Sequence, residues 1–451
     1  MAATNVEIDK AAGVLLVDGK KLFPIGFSNP PPLGAKAPSA KPALKELADA
    51  GGNFIRVGIE GWNSQDIGTQ LNEVEKRFKE AERHGVHCWL WLGKLPANLV
   101  PADPSRKELL RKIVERFRDH PALGAYKGYD EPLWGNIGVP GLAAAYDALK
   151  QPDFDPHHPL VLVQAPRMRP PKKRGGGKGP VVRDGGVPLA VAKLKPYVKA
   201  FDVTAADIFP ISNPPSNQAS SAKTDISVVG EVTRKMVAAA QGKPVWMTLQ
   251  IAWSGTPFPS VPIFPSLQQE RFMVYDAIVA GARGLTFFGG HMTQVCTPED
   301  AKAGWNWTFW RQVLRPIVKE LSSDELQPAL LAPREPPAVT STTPGKPKSD
   351  VEVVTRRDST HLFVIAVRPR GGPSKISFSG LPRKKDGTAI KSGEVLFEYV
   401  QWPTPKALKK LESAHKPVPP HKQVPRPIKV TNGGFEDSFL PHDVHVYRFE
   451  L

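Results

Sequence analysis

Cysteine is scarce: Cys88 and Cys296 are the only two among 451 residues. That excludes a disulfide framework and a four-cysteine metal site. Cys88 lies in an apolar run and is expected to be buried. No run approaches 18 uninterrupted apolar residues, so no membrane span is predicted. The chain has no His-Glu-x-x-His motif, no Gly-x-Ser-x-Gly elbow and no phosphate-loop spacing. His87 and Cys88 adjoin on a predicted strand and should point opposite ways, and His157-His158 reads as a solvated loop pair. Neither a metal nor a cofactor is predicted. The first 20 residues carry Asp and Lys without a long apolar stretch, so no signal peptide is legible. The expectation is a folded soluble chain, secreted or periplasmic only if a leader was removed beforehand.

Acidic residues are the deficient sign: 44 Asp and Glu against 60 Lys and Arg, a formal charge of +16. From Leu326 onward 20 basic residues face 12 acidic ones, so half of the excess lies in the last 126 residues. No arginine-rich helix or finger-like motif accompanies it, and nucleic acid is not predicted as a partner. Glycine (38) and proline (48) are abundant but follow no Gly-X-Y period, which points to loops around a sizeable core.

Strand and helix patterns alternate along the first two thirds of the chain. A hairpin is predicted from Gly13–Val17, a turn at Asp18-Gly19 and Leu22–Phe27. Strands then follow at Asn53–Ile59, His87–Leu92, Leu123–Tyr129, Leu160–Gln164, Phe201–Phe209, Val245–Gln250 and Gly284–Phe288. Helices are predicted at Pro42–Ala50, Asp66–His84, Ser105–Arg118, Gly141–Leu149, Asp225–Ala240, Leu267–Ala280 and Trp305–Leu321. Eight strands in series predict a closed (β/α)8 TIM barrel, the catalytic unit, over residues 1–325. An open doubly wound sheet would carry a glycine-rich turn after its first strand, and Phe27-Ser28-Asn29-Pro30-Pro31 is not one. From residue 326 to 451, short alternating runs (Val351–Thr355, Leu362–Val367, Lys375–Phe378, Val395–Tyr399, Val444–Phe449) predict an all-β, sandwich-like accessory domain. Lys406–Lys429 is rich in lysine and proline and reads as an exposed loop. Arg167–Lys178 holds six basic residues and reads as a solvated loop or a clamp for an anionic substrate.

Function should gather at the C-terminal strand ends. The fourth strand ends in Gly128-Tyr129-Asp130-Glu131-Pro132-Leu133-Trp134, two adjacent carboxylates that must face a wet pocket or find partners. This segment resembles the close of strand four in the retaining β/α-barrel glycoside hydrolases of clan A, commonly Asn-Glu-Pro. The resemblance implies that Glu131 is the acid/base. Asp130 stands where the family has an Asn that binds the sugar 2-hydroxyl. Gly52-Asn53-Phe54-Ile55-Arg56-Val57 is similar to the family's second strand, whose Arg orients the nucleophile; this assigns Arg56 to the site. Asp207-Ile208-Phe209-Pro210-Ile211 resembles an Asp-x-Tyr-Pro segment at strand six.

The chain departs from the family at strand seven. Gln250 stands where the nucleophilic Glu is expected, and an amide can bind substrate but cannot supply the negative charge. Four explanations stay open. Glu60 or Asp207 could provide the second carboxylate. The enzyme could invert, with a base about 6.5–9.5 Å from Glu131. The substrate could assist its own cleavage. Or the barrel could bind sugar without cutting it. Trp62, Trp134 and Trp253 are the predicted sugar platforms, and His291 a substrate-binding or gating residue. Trp91 alternates with Trp89 and fits core as well as pocket. Glu270 and Arg271 read as helix-terminal charges or as supports contacting Gln250 or Asp130. The expected function is hydrolysis of O-glycosidic bonds in an oligo- or polysaccharide. The rivals are a noncatalytic carbohydrate-binding barrel and another barrel enzyme, such as a lyase or esterase.

Overall fold

The computed structural model describes residues 5–168, 187–211, 225–251, 264–288, 295–335, 339–399 and 423–451. The chain divides into two compact units, Met1–Ser323 and Asp324–Leu451.

The first unit is a closed parallel barrel of eight strands. They are β1 Ile25–Phe27, β2 Phe54–Gly58, β3 His87–Trp91, β4 Leu123–Asp130, β5 Leu160–Gln164, β6 Val203–Ile208, β7 Val245–Gln250 and β8 Leu285–Phe288. Each pairs in parallel with its sequence neighbours, and β8 closes on β1 through Leu285–Ile25 and Phe287–Phe27. The predicted first strand splits at Phe23-Pro24. Lys20–Leu22 pairs instead with Leu15–Val17, which pairs in turn with Val6–Ile8. This small antiparallel sheet adds Val6 and Leu15 to the cluster formed by Phe54, Trp89, Ala125, Val161, Val203 and Trp246.

Period-two alternation sorts the barrel side chains into layers. Phe54, Trp89 and Trp246 form an aromatic layer, their rings meeting edge to face at 5.9 and 6.1 Å. Trp246 fits because β8 is preceded by Gly284; a Cβ there would lie 2.7 Å from the indole. Two residues further along β2 and β3, the same faces carry Arg56 and Trp91, so a charged layer stacks on the aromatic one.

Helices Ile67–Arg83, Ser105–Phe117, Val139–Leu149, Val228–Ala239 and Leu267–Ala280 lie close to their predicted limits. Trp305–Leu321 is not one continuous α-helix. Pro316 cannot donate to the preceding turn, and a π segment at Trp310–Leu314 takes up the mismatch. The expected solvated pair His157-His158 is also split. His158 is buried, with its Nδ1 2.8 Å from Asp155 Oδ2, which also accepts from Tyr126 Oη at 2.8 Å. Cys88 is buried, as its apolar setting predicts.

The second unit contains a three-stranded and a five-stranded antiparallel sheet. Ile376 and Phe378 from one and Leu362, Val364, Val395 and Phe449 from the other share a single core, the packing of a sandwich. The predicted loop at Lys406–Lys429 ends in a strand, Gln423–Lys429. Pro425 and Pro427 obscure it in the sequence. The strand pairs only with Ser392–Tyr399 and so lies at a sheet edge, where a missing N–H is tolerated.

Gly284→Ala should destabilise the barrel by about 1–3 kcal/mol through overpacking against Trp246, measured by urea unfolding.

Candidate active site

The charged layer is built on a local irregularity of β4. Lys127 pairs with Val161 and Asp130 with Val163, so three steps on β4 match two on β5. In a regular strand, residues three apart face opposite ways. The bulge brings Lys127 and Asp130 to one side, where Lys127 Nζ lies 2.5 Å from Asp130 Oδ1. Lys127 is buried, its ammonium 4.6 Å from the Trp91 ring and 5.7 Å from that of Trp89. Burial lowers its pKa, and Asp130 opposes that shift. Lys127 and Trp91 were not singled out as site residues from sequence. A lysine in phase with Ala125 inside an otherwise apolar strand was the available signal.

Glu131 follows at φ 47°, a left-handed backbone that a non-glycine residue adopts at a cost. The turn is held from both sides. Glu131 N donates to Val163 O at 2.9 Å, Leu133 N to Gln164 Oε1 at 3.2 Å, and Gly135 N back to Glu131 O at 2.9 Å. Burial, and secondarily the negative charge of Asp130, push the Glu131 carboxyl up from 4.5 to about 7, with Lys127 pulling the other way. Asp207 on β6 is buried, and its Oδ1 has no hydrogen-bond partner among the described residues. Burial raises its pKa well above the usual carboxylate range, the charges of Glu131 and Asp130 add to that, and Lys127 opposes it. Glu131, Asp130 and Asp207 therefore act on one another across the barrel.

Arg56 on β2 places its guanidinium 4.9 Å from the Trp91 ring and 5.7 Å from that of Phe288. Its Nη2 donates to Asn29 Oδ1 at 2.7 Å. Burial lowers its pKa against the attraction of Asp130, Asp207 and Glu60, and it stays protonated. Glu60 stands apart: it is exposed and forms a 2.5 Å ion pair with Lys94.

Several sequence expectations change. Trp62 is 1% exposed and its Nε1 donates to Trp91 O at 3.0 Å, so it packs under the rim and leaves no face for a sugar. Trp134 is half-buried. Gln250 is fully buried and spent on a backbone clasp: its Oε1 accepts from Ile211 N at 2.9 Å and its Nε2 donates to Ile211 O. Glu270 and Arg271 bond to neither Gln250 nor Asp130. Arg271 pairs with Glu320 at 2.8 Å, and Tyr275 Oη donates to the same carboxylate at 2.6 Å. Glu270 is fully buried, neither oxygen has a hydrogen-bond partner among the described residues, and burial raises its pKa well above the usual carboxylate range. Trp253, His291 and nearly all of Arg167–Lys178 lie outside the described residues. Among the described residues no three His, Cys, Asp or Glu side chains form a metal cluster, and no helix is long and apolar enough to cross a membrane.

The raised Glu131 pKa fixes the sign of a pH effect. Below 4.5 folded and unfolded chains both hold the proton; between 4.5 and about 7 the unfolded chain ionises first, so stability falls as pH rises. Glu131→Gln removes that loss. Its stability relative to wild type should rise by up to about 3 kcal/mol between pH 4 and 8, read from denaturant midpoints at each pH.

No protein-family model matches the chain, and no curated protein matches it. Among solved structures, one described as a glycoside hydrolase family 5 protein from Bacteroides vulgatus is similar at 12% identity and TM-score 0.54, over 99% of this chain and 93% of that one. Another, described as a glycoside hydrolase, is similar at 12% identity and TM-score 0.56, over 99% and 96% of the two chains. What this chain shares with them is the fold, a (β/α)8 barrel followed by a β-rich unit.

Proposed function

We propose that the barrel hydrolyses O-glycosidic bonds, with Glu131 as general acid/base and Asp207 as the second carboxyl. The observation that carries this reading is the electrostatic coupling of Glu131 and Asp207 beside the charged layer, each raising the other's proton affinity on top of the effect of burial. The fold shared with glycoside hydrolases and the Asp-Glu-Pro close of β4 support it. Glu60 is the weaker partner, because it is exposed and already neutralised by Lys94. Asp207 also answers the objection that Gln250 raises: it is a carboxyl other than one on β7 whose charge is coupled to that of Glu131.

The pair titrates as a unit. Losing its first proton leaves one proton and one negative charge across two groups, which is the state that acid/base cleavage requires. The reactive arrangement keeps the proton on Glu131, to be given to the leaving oxygen, and the charge on Asp207. Lys127 stabilises the single negative charge of the pair, since it opposes the rise at both carboxyls. By direct attack, Asp207 forms a glycosyl ester, and Glu131 then takes a proton from the water that releases it; through water, Asp207 takes the proton of the attacking water, and the pair returns to its starting state by passing that proton to Glu131 through solvent. Asp130, held by Lys127, and Arg56 bind the sugar, and Trp134 offers it an apolar face.

The test is a screen of defined glycans with NMR detection of the product anomer. Glu131→Gln and Asp207→Asn should each lower kcat by roughly 10²–10⁴-fold, while Glu60→Gln stays within a few fold. Activity should climb through about pH 7 as the pair gives up its first proton. Activity that survives Asp207→Asn and vanishes in Glu60→Gln would transfer the second role to Glu60. Binding of glycans without cleavage of any would replace the hydrolase by a noncatalytic carbohydrate-binding barrel.

A further inference from the structure

Among the described residues, Lys127, Lys94 and Arg56 act electrostatically on the carboxyls of the site, and the first two are ion-paired. Lys127 has Asp130 at 2.5 Å and Lys94 has Glu60 at 2.5 Å. Arg56 differs: among the described residues no carboxylate forms an ion pair with it. Its polar partner is the neutral Asn29 amide, and its remaining neighbours are the Trp91 and Phe288 rings. A guanidinium carries five N–H donors in a planar fork suited to a carboxylate, and here one of the five is engaged. Holding such a charge out of water without a counter-ion is unfavourable. The end of β7 supplies it no carboxylate either. In this chain that strand ends in Gln250, whose amide is clasped to Ile211.

We propose that the counter-ion of Arg56 comes with the substrate: the site takes a glycan bearing a carboxylate, a uronic acid, with that carboxylate docked on the guanidinium beside Asn29 and Phe288. The charge balance of the site agrees. Asp130 is taken by Lys127, and burial raises the pKa of Glu131 and Asp207, so none of the three is a ready counter-ion for Arg56. The chain's net charge of +16 would further draw in a polyanionic glycan. The proposal names the substrate class of the hydrolase reading above and rests on the same pocket, but it concerns binding and is measured separately from cleavage.

The probes are sodium D-glucuronate, its uncharged methyl ester and D-glucose, each titrated into the full chain with ligand-observed NMR. Glucuronate should bind about tenfold or more tightly than the ester and glucose, as expected for one charge-assisted contact. That preference should disappear in Arg56→Gln, shrink in Arg56→Lys and weaken with salt. Melting curves of both variants identify any loss due to unfolding, and Arg56→Lys preserves the charge if Arg56→Gln does not fold. Equal binding of the three probes, or a preference that persists in folded Arg56→Gln, overturns the proposal. Arg56-dependent glucuronate binding without cleavage of any glycan supports it while overturning the hydrolase reading. Cleavage of neutral glycans with no uronate preference does the reverse.

Discussion

Arg56, Lys127 and Asp207 lie on strands of one closed barrel, with Asp130 and Glu131 at the end of β4 beside them, where bulk water screens charge poorly. Five full charges in that space would be costly, so the site distributes protons and partners instead. Lys127 and Asp130 neutralise each other at 2.5 Å. Glu131 and Asp207 retain protons at pH values where an exposed carboxyl has lost them. Arg56, which cannot give up its proton, rests on aromatic faces and one amide oxygen. The chemistry proposed for the barrel follows from that distribution, because a buried carboxyl pair with one proton to share is an acid and a base in one place.

The scaffold serves this layer from below and from the side. The rings of Phe54, Trp89 and Trp246 fill the adjoining interior layer, so the charged side chains have a rigid floor. The β4 bulge sets Lys127 and Asp130 on one face, and the left-handed backbone at Glu131 turns the chain immediately beyond it. Gln250 joins this support rather than the chemistry. Its two bonds to the Ile211 peptide fasten the chain that leaves β6, the strand that carries Asp207.

The eight-strand order was legible because parallel strands buried on both faces read as short apolar runs between helical periods. Glu131 and Asp207 were legible because each breaks such a run near its C-terminal end. Other features depended on contacts that period and composition do not encode. Trp62 follows β2 as a rim aromatic would, yet its indole folds back to the Trp91 carbonyl. Lys127 was passed over because an isolated lysine in a strand ordinarily reaches water, and only the bulge gives it Asp130. The edge strand Gln423–Lys429 was masked by its own prolines, which are tolerated there because its outer side has no partner strand among the described residues. The role of Gln250 was invisible, since its partner is a backbone 39 residues away.

The central claim is that Glu131 and Asp207, partly and fully withdrawn from water, titrate as a coupled pair. Carboxyl ¹³C NMR of the two residues across pH, in wild type and in Glu131→Gln, tests it most directly. Coupling predicts a Glu131 midpoint near 7, an Asp207 midpoint well above the ordinary carboxylate range in wild type, and a clear fall of the Asp207 midpoint once residue 131 can no longer carry charge. A Glu131 midpoint near the ordinary 4.5, or an Asp207 titration indifferent to Glu131→Gln, would contradict it.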